Sequence, residues 1–117
     1  MTERGMTEAA ARAYRLNYYW NERLECYEVW RDGEMTKRAW LPRRDDGDSF
    51  RLAAALRISV EHNHPADNHP WVCASVDGYV GRGQQFVEDV PDESQRADRM
   101  RLAILRCAAA QAPKEGV

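Results

Sequence analysis

Two Asp-Gly dipeptides, each preceded by a run of strand-forming residues, constrain this chain more than any other feature. Asp32-Gly33 follows Glu25–Trp30, and Asp77-Gly78 follows Trp71–Val76. An Asp-Gly pair after a strand is typical of a tight hairpin turn, because both residues tolerate a left-handed backbone. The sequence therefore predicts two antiparallel hairpins, whose returning strands begin at Met35–Trp40 and Tyr79–Val80.

Thr7–Tyr19 is predicted to be a helix with Thr7 as its cap, because Ala10, Ala13 and Tyr14 recur on one side. A longer helix that continues through Trp30 is the alternative. We reject it because the residues between Asn21 and Trp30 include several weak helix formers.

A second, short helix is predicted at Phe50–Leu56, capped by Asp48 or Ser49. The next segment, Arg57–Glu61, alternates apolar and polar residues as a half-buried strand does. A final helix is predicted from about Pro91, and Pro113 ends it. Its predicted buried stripe is Ala97, Met100, Ile104, Cys107 and Ala108, with Arg99 and Arg106 on the outer face.

The predicted order of elements is α-β-β-α-β-β-(β)-α, in which Gln85–Glu88 is the last strand. This order predicts an α+β fold with a small, mostly antiparallel sheet of about four or five strands packed against helices. At 117 residues the chain is expected to form a single domain, 1–117, with flexible ends at 1–6 and 113–117.

Composition excludes several classes of protein. Seventeen Lys+Arg against nineteen Asp+Glu give a net charge of −2, and 44% of the residues are hydrophobic. Disorder requires fewer apolar residues, a membrane span requires a long apolar run, and non-specific binding to nucleic acid favours a basic excess. Without an apolar export signal at the start, the chain is expected in the cytoplasm, with Cys26, Cys73 and Cys107 reduced and buried.

Three segments carry a resemblance to a known family. They are Trp40-Leu-Pro with Asp45-Asp-Gly-Asp-Ser-Phe-Arg-Leu-Ala, the strand pair opened by Ile58-Ser-Val and Trp71-Val-Cys-Ala, and the closing Arg99-Met-Arg-Leu-Ala-Ile-Leu-Arg-Cys-Ala-Ala. Together they resemble the phage ABA-sandwich proteins and their NinX-like relations, over roughly Trp40 to Gln111. The resemblance implies a phage or prophage origin and a helix-sheet-helix layering, and it supplies no catalytic residues.

All three histidines, His62, His64 and His69, fall within eight residues, with Asp67 between them. Imidazole and carboxylate groups are good zinc or nickel ligands, so this loop is a weak candidate for a metal site. Two prolines and two asparagines also suit an exposed turn, which we favour, and we expect no metal and no cofactor.

Other polar motifs are weaker. Gly81-Arg82-Gly83 could cradle a phosphate, but it does not open a helix and suits a bulge better. Asp45, Asp46 and Asp48 could bind Mg²⁺, but helix capping explains them better. No serine lies in a nucleophile motif, so we expect no catalytic residues and no enzymatic activity.

Seven of the eleven aromatic residues lie in the first forty positions. Tyr18, Tyr19 and Trp20 are consecutive and cannot all face the core. Exposed Tyr and Trp beside arginine are typical of protein interfaces, so we predict a partner-binding surface of Arg15, Tyr18, Tyr19, Trp20 and Arg23, on the first helix and the turn after it. The alternative is a helix end that lies over the edge of the sheet.

The favoured functional hypothesis is a phage-encoded protein that binds a host protein in the bacterial cytoplasm, such as an anti-CRISPR-like inhibitor of host defence. It would be a monomer or homodimer that binds neither nucleic acid nor membrane. One alternative is a metal-binding module or metal-dependent enzyme that uses His62, His64 and His69. The other is a phage structural or self-associating accessory protein.

Overall fold

The computed structural model describes residues 1–76 and 84–113 of the chain. In order, these form α1 (Glu3–Ala13), β1 (Asn17–Asn21), β2 (Cys26–Trp30), β3 (Arg38–Trp40), α2 (Asp46–Leu56), β4 (Ser59–His62), β5 (Trp71–Ser75), β6 (Phe86–Asp89) and α3 (Arg96–Ala110), with a 3-10 turn at Glu93–Gln95. The α+β class is confirmed. The predicted Asp77-Gly78 turn, the Tyr79–Val80 strand, Gly81–Gly83 and residues 114–117 lie outside the described residues.

The sequence predicts one sheet, whereas the described strands form two antiparallel sheets of three strands each. Sheet A has the order β1-β2-β3, and sheet B has the order β4-β5-β6. The predicted order of elements also lacks β1, because the predicted first helix includes the first residues of this strand. Apolar alternation shows which face a strand buries but not which distant strand it pairs with, so it could not separate the two sheets.

Helix α1 starts four residues before the predicted cap at Thr7. Thr2 is the actual cap, and its hydroxyl accepts a hydrogen bond from the backbone N–H of Gly5 at 3.0 Å. Residues 3–6, which the sequence assigns to a flexible end, are helical. Thr7 instead lies within the helix, where its hydroxyl donates to the carbonyl of Glu3 at 2.8 Å.

Helix α1 ends at Ala13, so the prediction of a helix through Tyr19 is wrong. Arg15 adopts a left-handed backbone with φ of 60°. The N–H of Arg15 then bonds the carbonyl of Arg12, and the N–H of Leu16 bonds the carbonyl of Ala11, both at 3.0 Å. These two bonds close a Schellman motif, which usually has glycine at the left-handed position. Because arginine occupies that position, the stop signal was not visible in the sequence.

Helix α2 begins four residues before the predicted start at Phe50 and ends at Leu56, as predicted. Asp45 caps it by accepting from the N–H of Asp48 at 2.8 Å, so neither Asp48 nor Ser49 is the cap. At the other end Arg57 has φ of 56°, and the N–H of Ile58 bonds the carbonyl of Ala53 at 2.9 Å. This second Schellman motif again has arginine in place of glycine.

The Asp32-Gly33 turn is present, but it is not a two-residue hairpin. Gly33 has φ of +89°, and the N–H of Glu34 bonds the carbonyl of Arg31 at 3.0 Å. A tight hairpin of the common type needs both central residues in the left-handed region, and Asp32 is not. The return is therefore a longer loop, and β3 is shorter than the predicted Met35–Trp40 strand.

Helix α3 packs against α1, α2, β5 and β6 and so lies at the centre of the molecule. Ile104, Cys107 and Ala108 are buried, as predicted, and Met100 is half-buried. Ala97 is exposed, so its predicted burial is wrong: it lies in the first turn of α3, where it lines an open groove between α2 and α3.

The sequence predicted that Arg106 lies on the outer face of α3. The residue is instead half-exposed and lies against sheet B. Its guanidinium lies 5.3 Å from the centre of the Phe86 ring and bonds Glu88 at 2.9 Å. It therefore covers one end of sheet B.

One continuous core joins both sheets. It contains Val29 and Trp40 from sheet A, Ala74 and Phe86 from sheet B, and the buried face of α3. Burial of each large side chain contributes about 1.5–3 kcal/mol. Within the described ranges, no helix is long and apolar enough to cross a membrane.

Ion pairs join the helices at one edge of this core. Arg43, in the loop before α2, bonds the Asp98 carboxylate at 2.7 Å and lies 3.8 Å from Glu3. Arg101 bonds Asp46 at 2.6 Å and the carbonyl of Arg43 at 3.0 Å. The contact with Arg43 lowers the pKa of the Asp98 carboxyl. These contacts connect α1, α2 and α3.

Candidate partner-binding surface

The predicted surface is divided by the structure, because Tyr18, Tyr19 and Trp20 lie on β1 and not on the first helix. Successive residues of a strand point to opposite faces of the sheet. Directly opposite residues on paired strands share a face, and Tyr18 lies opposite Val29 while Trp20 lies opposite Tyr27. Tyr18 and Trp20 therefore belong to one face of sheet A, and Tyr19 belongs to the other.

Tyr18 and Trp20 face α1. Both pack edge-on against the Tyr27 ring, with centroid distances of 5.8 and 5.0 Å. The hydroxyls of Tyr18 and Tyr27 donate to the two carboxylate oxygens of Glu8 on α1, at 3.2 and 3.4 Å. The guanidinium of Arg4 lies 3.9 Å from the centre of the Trp20 ring. These contacts make Tyr18 and Trp20 part of the packing between α1 and sheet A.

Arg15 and Arg23 lie at opposite ends of β1. Arg15 is exposed in the turn that ends α1, and Arg23 is exposed in the β1–β2 turn. A five-residue strand is about 17 Å long. The five predicted residues therefore do not form one continuous surface.

The opposite face, which we call the outer face of sheet A, carries Asn17, Tyr19, Glu28, Trp30 and Ala39. Because Tyr18 and Tyr27 direct their hydroxyls to α1 from the other side, this face points away from α1. Tyr19 is 54% exposed and lies directly opposite Glu28. Trp30, two residues beyond Glu28 on β2, is half-exposed.

Lys37 connects the two aromatic rings of this face. Its Nζ lies 5.0 Å from the centre of the Tyr19 ring and 5.1 Å from the centre of the Trp30 ring. Exposed cation–π contacts of this kind contribute about 0.5–1 kcal/mol each. We call Tyr19, Trp30 and Lys37 the aromatic–lysine cluster. Sequence reasoning missed Trp30, which the register of the β1–β2 pair places diagonally across from Tyr19, and Lys37, which lies in the loop before β3.

Hydrogen bonds between side chains fix both ends of the outer face. Asn17 donates to Asp32 at 2.8 Å, and Asn21 donates to Glu28 at 2.9 Å. Glu28 is half-buried, so its carboxylate is held in one place between the strands. The face therefore offers flat aromatic area, a phenol hydroxyl, an ammonium group and a fixed carboxylate.

The three histidines do not converge. The Nδ1 of His62 is bonded to Arg96 at 2.9 Å, the Nδ1 of His64 accepts from the N–H of Ala66 at 3.1 Å, and the Nε2 of His69 lies 2.9 Å from Asp89. Residues 1–76 and 84–113 contain no group of three or more His, Cys, Asp or Glu side chains arranged to hold a metal ion.

Arg96 organises the base of the histidine loop. Its guanidinium donates to the side chain of Asn63 at 2.8 Å and to the carbonyl of Trp71 at 3.2 Å, and it also pairs with Glu93. The contact with Arg96 lowers the pKa of the Glu93 carboxyl. The loop is thus held by α3 through an arginine.

The aspartates before and within α2 act as capping and pairing groups. Asp48 is buried, and its carboxylate accepts from the N–H of Leu41 at 3.0 Å while it pairs with Arg51 at 2.9 Å and Arg38 at 3.2 Å. Asp46 is paired with Arg101. Each carboxylate thus has a partner within the protein.

Cys26, Cys73 and Cys107 are free thiols and buried, as predicted. Burial raises the pKa of all three, and that of Cys107 reaches about 11. The carboxylates of Glu28 and Glu61 add to the rise for Cys26 and Cys73 respectively. A thiol with a raised pKa is a poor nucleophile and a poor metal ligand at neutral pH.

Comparison of the chain with protein families, with curated proteins and with solved structures gave no match.

Proposed function

We propose that this protein acts by binding another protein through the outer face of sheet A, without catalysis of its own. The observation that carries the proposal is the aromatic–lysine cluster of Tyr19, Trp30 and Lys37 on a face that points away from α1. Tyr and Trp are the residues on which binding energy concentrates in protein interfaces, because each supplies a large contact area with few rotatable bonds.

The geometry of the cluster favours tight binding because much of it is ordered before a partner arrives. Trp30 and Tyr19 are on paired strands, Lys37 bridges their rings, and Asn21 holds the carboxylate of Glu28, the residue directly opposite Tyr19. A surface that is already ordered loses less conformational entropy when it binds.

Charge favours a protein over a nucleic acid as the partner. The chain has a net charge of −2, and the Glu28 carboxylate lies directly opposite Tyr19 on the proposed surface. A carboxylate repels phosphate groups, whereas nucleic-acid surfaces in proteins are usually basic.

The resemblance of Trp40–Gln111 to phage ABA-sandwich proteins is the basis for a narrower proposal. It suggests that the partner is a bacterial host protein in the cytoplasm, and that binding inhibits a host defence system in the manner of an anti-CRISPR protein. This narrower proposal depends on the resemblance alone, whereas the proposal of a protein partner depends on the outer face of sheet A.

The test combines capture and titration. The wild-type chain is immobilised, host proteins that it retains from bacterial lysates are identified, and each is purified and titrated by calorimetry. We expect Tyr19→Ala and Trp30→Ala to weaken binding by about 2 kcal/mol, or roughly 30-fold, if these residues are hot spots.

Phe50→Ala is the matched control, because Phe50 is an exposed aromatic residue on α2 and not on sheet A. It should leave the affinity for the partner unchanged. If Tyr19→Ala and Trp30→Ala bind the partner as wild type does while their melting curves are also unchanged, the outer face of sheet A is not the binding surface.

A further inference from the structure

A groove of about 580 Å³ runs between α2 and α3, on a part of the molecule that shares no residue with the outer face of sheet A. Its apolar lining consists of Phe50, Ala53 and Ala54 from α2, Ile58 and Val60 from the segment after it, and Ala97, Met100 and Ile104 from α3. Apolar surface of this extent costs free energy when it is exposed to water.

Phe50 is poorly packed along this groove, because 73% of its surface is exposed. It stands at the rim, and the alanines of α2 beside it leave room for another side chain. A large exposed side chain and an apolar hollow thus lie on the same face. When two copies meet about a two-fold axis, the exposed side chain of each copy can be buried in the hollow of the other, because each copy supplies both parts.

The charges along α2 support this arrangement. Asp46, Phe50 and Ala53 follow each other at intervals of four and three residues, so they form one stripe along the helix. The stripe begins with an acid, and a base, Arg57, directly follows the end of the helix. The side chain of Asp46 pairs with Arg101 and is still 81% exposed, and Arg57 is exposed and makes no ion pair with any described residue.

We propose that two copies of this chain associate through α2, with the two helices antiparallel across a two-fold axis. The midpoint between positions 46 and 57 coincides with the midpoint between positions 50 and 53. One crossing therefore places Asp46 beside Arg57 of the second copy and also places Phe50 against Ala53 of the second copy. The Phe50 ring of each copy then enters the groove of the other.

The occupant of the groove is a second copy, because the arrangement of acid, aromatic ring, apolar hollow and base along α2 is complementary to the same arrangement in a second copy. An unrelated apolar ligand would fill the hollow but would leave Arg57 without an acidic partner, whereas a second copy brings the exposed carboxylate of Asp46 to it. The interface is small, since one short helix contributes most of it, so we expect a dissociation constant of about 10 µM or weaker.

The first measurement is sedimentation velocity of the untagged full chain, at concentrations from about 1 to about 500 µM, which spans the expected dissociation constant. Wild type should shift from monomer to dimer over this range. Phe50→Ser should remain monomeric throughout with an unchanged melting temperature, because the side chain is exposed in the monomer. Tyr19→Ala is the matched control, and it should dimerise as wild type does.

The second measurement tests the charge pairing by mixing two variants. Arg57→Glu places two acids together in its own homodimer, and Asp46→Lys places two bases together, so each variant alone should dimerise at least tenfold more weakly. An equimolar mixture restores one acid beside one base at both ends of the interface. The mixture should therefore form a heterodimer with an affinity close to that of wild type.

Three results would overturn the proposal. Wild type could remain monomeric over the whole range, the mixture could fail to restore association, or Tyr19→Ala could abolish the dimer while Phe50→Ser does not. A monomeric wild type that binds the apolar dye anilinonaphthalene sulfonate, when Phe50→Ser does not bind it, would indicate a small-ligand site instead. A monomeric wild type, or a mixture that fails to restore association, does not bear on whether sheet A binds a partner, whereas a dimer that only Tyr19→Ala abolishes would assign self-association to sheet A. The two proposals therefore fail separately.

Discussion

Tyr19 lies directly opposite Glu28 across the β1–β2 ladder, on the face of sheet A that points away from α1. The residues on either side of Tyr19 in the chain face α1 and pack against Tyr27. One strand thus divides an aromatic run into two structural residues and one exposed residue. The division assigns different roles to side chains that are adjacent in the sequence, and those roles can be tested separately.

Replacing Trp20 should destabilise the protein, whereas replacing Tyr19 should not. Trp20→Ala removes the edge-on contact with Tyr27 and the Arg4 contact, so we expect a loss of about 1–3 kcal/mol in the free energy of unfolding. Tyr19→Ala, at a residue that is 54% exposed, loses mainly the exposed contact with Lys37 and should change it by only about 0.5 kcal/mol. Urea unfolding monitored by circular dichroism measures both. Equal losses for the two variants would contradict the assignment of faces.

Ile104→Asp should unfold or aggregate the protein. Ile104 is 3% exposed and packs in the core between α3 and its neighbours, so the variant loses about 1.5–3 kcal/mol of apolar burial and also buries a charge. Ala97→Asp is the matched control, because Ala97 is exposed on the first turn of the same helix, where an acid is favourable. Thermal melting compares them, and a normal melting temperature for Ile104→Asp would contradict the packing of α3.

Replacing His62, His64 and His69 together by alanine should change the free energy of unfolding by less than about 1 kcal/mol. All three are exposed, and Arg96 keeps its bonds to Asn63 and Glu93 when His62 is removed. Equimolar zinc should leave the melting temperature of wild type unchanged. A rise with zinc that a chelator reverses, and that the triple variant lacks, would instead support the metal-binding alternative.

Stability should fall in alkaline solution, in part through Cys107. Burial raises the pKa of its thiol to about 11, from an ordinary value of 9.0. The unfolded chain therefore loses this proton at lower pH than the native protein does, so the contribution is full below pH 9.0 and is lost as the pH rises to about 11. Melting curves across this range should decline less steeply for Cys107→Ala than for wild type. Parallel declines would show that Cys107 does not contribute.

Several local features could be predicted from the sequence because they depend on a few adjacent residues. Gly33 marks a turn, because it is the residue of this turn that takes a positive φ. The apolar stripe of α3 correctly places Ile104 and Cys107 in the core. The histidine loop is also irregular, as its prolines and asparagines predict.

The candidate surface was predicted only in part. The surplus of aromatic residues in the first forty positions drew attention to Tyr19, but the helical prediction for that segment grouped it with Tyr18 and Trp20, which lie on the other face of the sheet. Trp30 and Lys37 are eleven and eighteen positions away from Tyr19 in the chain. The pairing of β1 with β2 brings Trp30 to Tyr19, and the loop before β3 adds Lys37.

By itself, the sequence determined the α+β class, the Asp32-Gly33 turn and most of the buried stripe of α3, because each follows from periodicity or turn chemistry within a short window. The tertiary structure decided that Asn17–Asn21 is a strand and that the six strands within residues 1–76 and 84–113 form two sheets. Helix propensity at Tyr18 and Tyr19 is weak, so pairing with β2 and the left-handed Arg15 override it. The free energy that selects these features comes from contacts between distant residues, which no local pattern contains.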